Sequence, residues 1–525
     1  MYIFSVNISC HPFPVVTLSL SVLPMPSLFS LFSTLPLLAQ LQAAPTPIAP
    51  PIESPIAPNP ITSPIAPTTR IPLPYRFPRS ESLPPQDTLP RQNEILSLQE
   101  VRSLPGKLDD VPVFNSNSPE LILNEGILLS TFSVDGKRVP KAHLNYRFNG
   151  RFDIFSHHIS KASTDDQLKA LFQGILITNP SSQPVTVDVM QGASYLTRPD
   201  ALFLPIADTT EDPIGTVYSG PGSRVMNDLL RGRRQGWLPS FMTLNPGESR
   251  MLLNLPIPAG LVTPSSNGRS TLIRLNSSGD VQLASMAMYA PRSADGRERV
   301  PTLADWQTFL TTSSLAGPRD RTPTSLSDRD TRIIYGRVAG VAKGSLWKAT
   351  LADGKGDRLA IPAQGRAFSY AISTVKQGTF ATGQIQSAPV LVRYDDTAYL
   401  ANGNYGIHYS LTLPLHNPTN QAQRITLSIE TPLKQDLSRD QVLFINPPEA
   451  KIFFRGTVRL RYVDDNAQMQ TRYVHVVQRR GQRGEALATL MLKPSEMRSV
   501  EVDLLYPPDA TPPQLLTIRT ADGSK

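Results

Sequence analysis

Two stretches decide how this chain folds: Ile175-Leu-Ile-Thr-Asn179-Pro180-Ser-Ser-Gln183 and Leu413-Pro-Leu-His-Asn417-Pro418-Thr-Asn-Gln421. In each, an apolar run stops at Asn-Pro, a small polar pair follows, and a new alternating run begins, over residues 185–189 in the first copy and 425–429 in the second. This is turn chemistry, because an Asn side chain bonds backbone two residues on and Pro ends the incoming strand. A second pair of matches follows in the same order. Leu244-Asn-Pro246-Gly-Glu248-Ser-Arg250 corresponds to Leu492-Lys-Pro494-Ser-Glu496-Met-Arg498, and each leads into a further strand-like run, 251–255 and 500–504. Matched turns in matched order imply duplication. The expected architecture is therefore two related immunoglobulin-like β-sandwich units, each of about 100 to 140 residues.

The rest of the body reads the same way. Short runs of period two, such as 271–275, 281–289 and 457–462, are punctuated by Pro, Gly, Asn and Asp, the pattern of half-buried antiparallel strands. Helical period is confined to three short stretches. These are 163–173, capped by Ser163 or Thr164; 227–231; and 302–310, where Thr302 caps and Asp305 suits the positive end of the helix. The class predicted is all-β with few short helices. Composition shifts toward Arg, Asp, Pro and Thr over 294–327. The predicted organisation is a first β unit with an N-terminal extension at 93–300, a linker with a short helix at 301–330, and a second β unit at 331–525.

Before residue 93 the chain changes character. Residues 15–44 are rich in Leu, Val, Phe and Ser, contain no Lys or Arg, and end in Ala43-Ala44, small residues that suit a signal peptidase. Pro14, Pro24, Pro26 and Pro36 interrupt the run too often for a membrane-spanning helix. Residues 1–44 thus read as a signal segment, although its start lacks basic residues and Met25 opens a more compact version, which suggests translation from at or near Met25. Residues 45–92 carry Pro-Ile-Ala-Pro three times, a semi-rigid polyproline spacer advancing roughly 3.1 Å per residue. The expected location is outside the cytoplasm: periplasm, outer-membrane surface or extracellular. The single cysteine, Cys10, falls within the segment expected to be removed, which leaves no thiol for a disulfide or a metal. A formal charge of +8 permits anionic partners without selecting among them.

Candidate chemistry is sparse. His157-His158 with Asp153 is the one cluster with metal-ligand chemistry, but strand period places Asp153 and His157 on one face and His158 on the other. Two ligands on one strand do not make a zinc site, so no metal and no cofactor is expected. Ser219-Gly-Pro-Gly-Ser223 lacks a nucleophile elbow, and Gly336-Arg-Val-Ala-Gly340 has no following helix to cradle a phosphate. Acid pairs Asp395-Asp396 and Asp464-Asp465 read as solvated turns. Two basic loops remain, Arg231, Arg233 and Arg234 with Trp237 nearby, and Arg479, Arg480 and Arg483. Ordinary solvated loops are their commonest reading, yet guanidinium groups also suit carboxylate, sulfate or phosphate. The partners so suggested are an anionic glycan, a lipid headgroup or an envelope protein, and no nucleic acid.

The runs Val111-Pro-Val-Phe-Asn-Ser-Asn-Ser-Pro-Glu120, Gly150-Arg-Phe-Asp-Ile-Phe-Ser-His-His-Ile159, Pro221-Gly-Ser-Arg-Val-Met-Asn-Asp228, Gln384-Ile-Gln-Ser-Ala-Pro-Val-Leu-Val-Arg-Tyr394 and Asp503-Leu-Leu-Tyr-Pro-Pro-Asp-Ala-Thr-Pro-Pro-Gln514 resemble an uncharacterised family of exported cyanobacterial proteins, catalogued as a domain of unknown function. The resemblance covers nearly everything from about Ser97 onward and implies an envelope or secreted protein, with no activity or catalytic residue attached. The function expected is that of a non-enzymatic exported protein of the cell envelope, structural or binding, that recognises a glycan polymer or an envelope protein. The alternative is a secreted hydrolase acting on envelope glycan or peptide, with His143, Asp153 and His157 as its catalytic group.

Overall fold

The strand His408–His416 alternates buried and half-buried residues along its whole length, placing Tyr409, Leu411, Leu413 and Leu415 on one face. It pairs antiparallel with Met497–Leu505 and parallel with Leu346–Thr350. Ile452–Val463, Met469–Arg479 and the short Thr209–Glu211 extend the layer, with Leu359–Ala360 at its side, into a seven-stranded sheet. A six-stranded sheet faces it, with Gln423–Glu430 and Gln514–Thr520 near its middle. Ile425, Leu427, Ile429, Leu516 and Ile518 of that sheet share one apolar core with the inward row of His408–His416. Each such side chain contributes about 1.5–3 kcal/mol on leaving water. Register is fixed accordingly, since a slip of one residue would turn the row outward.

The structure, a computed structural model, describes residues 93–162, 164, 168–260, 265–328 and 332–522. The expected signal segment and the proline spacer lie outside the described residues. Among the described residues the chain is all-β with two α-helices, α1 (Pro221–Leu230) and α2 (Leu303–Thr312). Neither helix is long and apolar enough to cross a membrane.

The N-terminal layers are joined by one long strand, Ser266–Tyr289. Its residues 266–277 pair with Phe148–Lys161 and Val185–Leu196; beyond an irregularity between Ser277 and Val281, residues 282–289 pair with Ala170–Thr178. One strand thereby serves both faces of a folded-over sheet, closing Phe152, Ile154, Val187 and Ile273 against Ile175, Ile177 and Leu283. Helix α2 begins at Thr302 with the expected capping box to Asp305 and seats the fully buried Trp306 on Gly174. A Cβ at Gly174 would come within 2.7 Å of the indole, so only glycine admits it.

The duplicated corners repeat bond for bond. Asn179 Nδ2 donates to the carbonyls of Gln183 (2.7 Å) and Leu244 (3.0 Å), and Asn417 Nδ2 to those of Gln421 (2.7 Å) and Leu492 (3.0 Å). The amide N–H groups of Ser181 and Thr419 donate to the matching Asn Oδ1 at 2.9 and 3.0 Å. Glu248 Oε2 accepts from Asn245 N at 2.8 Å and Glu496 Oε2 from Lys493 N at 2.7 Å. Register matches too: Thr178 opposes Ser249 and Val185 opposes Leu244, as His416 opposes Met497 and Gln423 opposes Leu492.

Two of the expected helices need correcting. The helix over 163–173 is not formed where it is described, because residues 170–173 open the strand Ala170–Thr178, buried on both faces. Such a strand reads as a continuous apolar run, which local periodicity does not separate from a helix; residues 163 and 165–167 lie outside the described residues. The helix over 227–231 starts earlier, at Pro221 behind Gly220, and its apolar side joins the C-terminal core through Val225, Met226, Leu229 and Leu230. The sheets also cross the expected boundary at 301–330. Asn93–Arg102 pairs with Ala367–Ile372 and Gln441–Asn446 in the six-stranded sheet, and Thr209–Glu211 joins the seven-stranded one. In return, Ala339–Lys343 pairs with Pro112–Ser116 and carries Ala388–Arg393 into the N-terminal sheet.

Candidate functional site

The exchange of strands creates a cavity of about 200 Å³ where the two halves meet. One wall is the segment that follows Pro112–Ser116. His158, buried on the outer side of its strand, holds this segment. Its Nδ1–H donates to the Pro119 carbonyl at 2.8 Å, so its Nε2 accepts from Ser116 Oγ at 2.9 Å. Burial pushes the His158 pKa down to about 3, and the ring stays neutral in this role. Ser118 Oγ and Glu120 N both donate to Asp320 Oδ2, at 2.8 and 3.3 Å. Arg337 then bridges Glu120 and Asp320.

The opposite wall is Asn402-Gly-Asn-Tyr-Gly406. Asn404 adopts φ 49°, a left-handed conformation that Asn tolerates. It is pinned on both sides of its amide: Oδ1 accepts from Ala388 N at 3.1 Å, while Nδ2 donates to the Gln386 carbonyl at 3.0 Å and to Tyr409 Oη at 3.1 Å. This pinning presents Tyr405 to the cavity, where burial, reinforced by the Glu120 carboxylate, pushes its phenol up to about 12. Tyr335 and Lys434 complete the rim, with Thr511 and Pro512 beside them. The cavity opens past Arg337 and Tyr405 into a broader depression of about 550 Å³ that carries Arg319, Asp320 and Arg321.

Asn115 and Asn117 line this cavity while only 5% and 6% exposed, and the Oδ1 atom of each lacks a hydrogen-bond partner among the described residues. Native interiors seldom leave such atoms unpaired, at a cost of about 1–3 kcal/mol each. Both Oδ1 atoms are themselves out of solvent reach, so a ligand in the cavity pairs with them only once the amides turn toward it.

The residues singled out from sequence distribute as follows. His157, Asp153 and His143 do not converge. His157 lies behind the cavity-lining Glu120, with Nδ1 2.8 Å from Ser270 Oγ and Nε2 3.8 Å from Glu120 Oε1. Burial lowers its pKa, Arg337 adds to this, and Glu120 opposes it. Ser270, His157 and Glu120 have the residue types of a nucleophilic triad. Ser270, however, has no exposed surface, and Glu120 is held by Arg337, so no substrate carbonyl can reach the hydroxyl. Asp153 is instead ion-paired to Arg151 at 2.5 Å and lies 3.9 Å from Arg274. His143 bonds Ser130 Oγ at 2.8 Å, with its pKa pushed down to about 4 by burial, Lys137 adding to it.

The basic loops are largely neutralised from within. Arg231 pairs with the buried Asp212 at 3.3 Å and stacks 3.8 Å over Tyr473, and Arg233 pairs with Asp228 at 3.0 Å. Arg234 donates to the Val189 carbonyl at 3.0 Å, and the exposed Trp237 to Gln235 Oε1 at 2.9 Å. Arg479 pairs with Asp208 at 3.2 Å, Arg480 with Glu449, and Arg483 lies 5.1 Å over Phe444. Apart from Asp228, five residues before Arg233, their acid partners are distant in sequence, which is why the loops read as free cations. Among the described residues, no group of three His, Cys, Asp or Glu side chains is placed to hold a metal ion. Asn115, Asn117, Glu120, Arg337, Tyr405 and Lys434 escaped sequence reasoning. The available signal was two asparagines in a strand-like run, where Asn is depleted.

Comparison with known proteins adds little to this geometry. No curated protein matches the chain. Among solved structures, Lac15 from a marine microbial metagenome is 11% identical over 71% of this chain, which spans 55% of its length, at a TM-score of 0.09. Pumpkin seed globulin is 11% identical over 76% of this chain and 85% of its own, at a TM-score of 0.10. Neither likeness is close enough to support an argument about fold or function. The family assignment is firmer: one family model matches residues 99–520, from the first strand of the six-stranded sheet to the last, and the chain belongs to that family, described as protein of unknown function (DUF3370).

Proposed function

We propose that this is an exported, non-enzymatic protein of the cell envelope that binds a glycan in the cavity between its two halves. The observation that carries the reading is the pair of nearly buried asparagines in the cavity wall, Asn115 and Asn117, whose Oδ1 atoms lack hydrogen-bond partners among the described residues. Each amide offers a carbonyl acceptor and an NH2 donor, and a sugar hydroxyl is both donor and acceptor. The rings of Tyr335 and Tyr405 add the apolar surface that a sugar's C–H faces require. Export is supported by the apolar head and the proline tract of residues 45–92.

The hydrolase reading rests on the approach of His157 to Glu120, and the burial of Ser270 and the Glu120–Arg337 pair count against it. The test is retention of the full chain on insoluble envelope glycan, peptidoglycan and exopolysaccharide. Retention is expected, and Asn117→Leu should abolish it while leaving the thermal melt in place. No retention on any glycan, or equal retention by Asn117→Leu and by Asn115→Leu, overturns the proposal. Release of reducing ends during the incubation would favour the hydrolase instead.

A further inference from the structure

The cavity has a second chemical end. Lys434 stands at its rim, and its ammonium donates to Tyr335 Oη at 3.1 Å and lies 5.2 Å from the centre of that ring. Tyr335 is itself fixed, donating its hydroxyl proton to the Lys376 carbonyl at 2.5 Å, so the phenol oxygen is left to accept from Lys434. The Lys434 stem lies across Gly378, where a Cβ would come within 2.3 Å of Lys434 Cδ. A lysine normally spends its freedom in solvent or finds a carboxylate. Here it is oriented by a neutral phenol and a bare backbone, with no carboxylate in ion-pair reach among the described residues. Glu120, the acid lining the same cavity, is already taken by Arg337.

Resting on the glycan reading above, we propose that the bound sugar carries an acidic substituent, a carboxylate or a sulfate ester, seated on Lys434 while its hydroxyls pair with Asn115 and Asn117. The two ends then have distinct jobs. The amides demand donors and recognise the polyol; Lys434 demands an acceptor and selects the charged sugar over its neutral counterpart. A compact ammonium fixes charge without the planar geometry of a guanidinium, so both substituents fit it, and the experiment separates them.

The test is calorimetric titration of the full chain with three probes of one sugar: galacturonate oligomers, galactose oligomers and sulfated galactose oligomers. A charged probe is expected to bind roughly ten-fold more tightly than the neutral one, a preference that weakens with added salt. Lys434→Gln, an exposed change that leaves the fold intact, should remove the preference and keep the neutral binding. Asn117→Leu should remove all three. Whichever charged probe wins identifies the substituent. Equal affinity for charged and neutral probes, or an unchanged preference in Lys434→Gln, overturns the acidic-sugar assignment and leaves the glycan reading standing. Binding of none of these probes, together with no retention on envelope glycan, overturns both.

Discussion

The two duplicated corners are alike where backbone must be satisfied and different where side chains meet water. Asn179 and Asn417 are both fully buried and close the same bonds onto carbonyls of two neighbouring segments. The arginine that follows has diverged. Among the described residues Arg250 pairs with Glu248 alone, at 2.7 Å, and its side chain is 47% exposed. Arg498 is 9% exposed and gathers Glu496 and Asp465, each at 2.5 Å, with the Met491 carbonyl at 3.1 Å. Asp465, which reads from sequence as a solvated turn residue, is thus recruited into the second corner. Backbone satisfaction leaves few solutions and is retained through duplication, whereas a surface ion pair is worth little and is free to change.

The largest effect should come from the shared part. Asn417→Ala and Asn179→Ala each strand one buried carbonyl, of Leu492 or Leu244, and a half-buried one beside it, and should each destabilise the chain by about 2–3 kcal/mol, read as a shift in the denaturant midpoint. A large loss at one corner with a negligible one at the other would break the equivalence. The divergent part should separate the corners. Arg498→Ala should cost about 1 kcal/mol and Arg250→Ala less than about 0.5 kcal/mol, measured the same way. The reverse order would mean that burial of Arg498 adds nothing.

A third contrast concerns two acids beside α1. Asp212 feels burial, which raises its pKa, but the amides of Val217 and Thr216, the Asn227 side chain and Arg231 together hold it below the ordinary carboxylate value. Asp509 takes the Ser223 amide at the first turn of the same helix, yet burial, reinforced by Glu120, pushes it up to about 7 against Arg455 and that amide. The signs are opposite. Asp212 stabilises the fold when ionised, a contribution lost as pH falls below the ordinary aspartate value of about 4. Asp509 favours the fold when protonated, a contribution lost as pH rises from about 4 to about 7. Asp509→Asn should therefore raise the melting temperature near pH 8 and flatten its change between about pH 4 and 7. An unchanged slope would show that Asp509 ionises as it does in water.

Much of the fold was legible because its decisive features are local. The Asn-Pro corners find half of their hydrogen bonding within a few residues, at Ser181 and Gln183 or Thr419 and Gln421, and the Thr302–Asp305 box announces α2. Strand exchange was not legible, since nothing near Asn93–Arg102 records that its neighbours are Ala367–Ile372 and Gln441–Asn446. The strand at 170–178 was misread for a related reason: burial on both faces erases the alternation that marks a strand. The site was hidden by distance in sequence. Asn115 and Asn117 acquire meaning only when Tyr335, Tyr405 and Lys434 close over them, and the arginine loops lose theirs once Asp208, Asp212 and Glu449 arrive. His157 was legible as a strand residue facing the same way as Asp153, but not as a neighbour of Glu120.

The most direct test of the central claim is a crystal structure of the full chain grown with an envelope oligosaccharide that it retains. A sugar ring between the amides of Asn115 and Asn117 and the ring of Tyr405, with hydroxyls within hydrogen-bond distance of both Oδ1 atoms, is the predicted result. An oligosaccharide bound elsewhere, at the Trp237 loop or along Arg479–Arg483, with the cavity amides untouched, would contradict it.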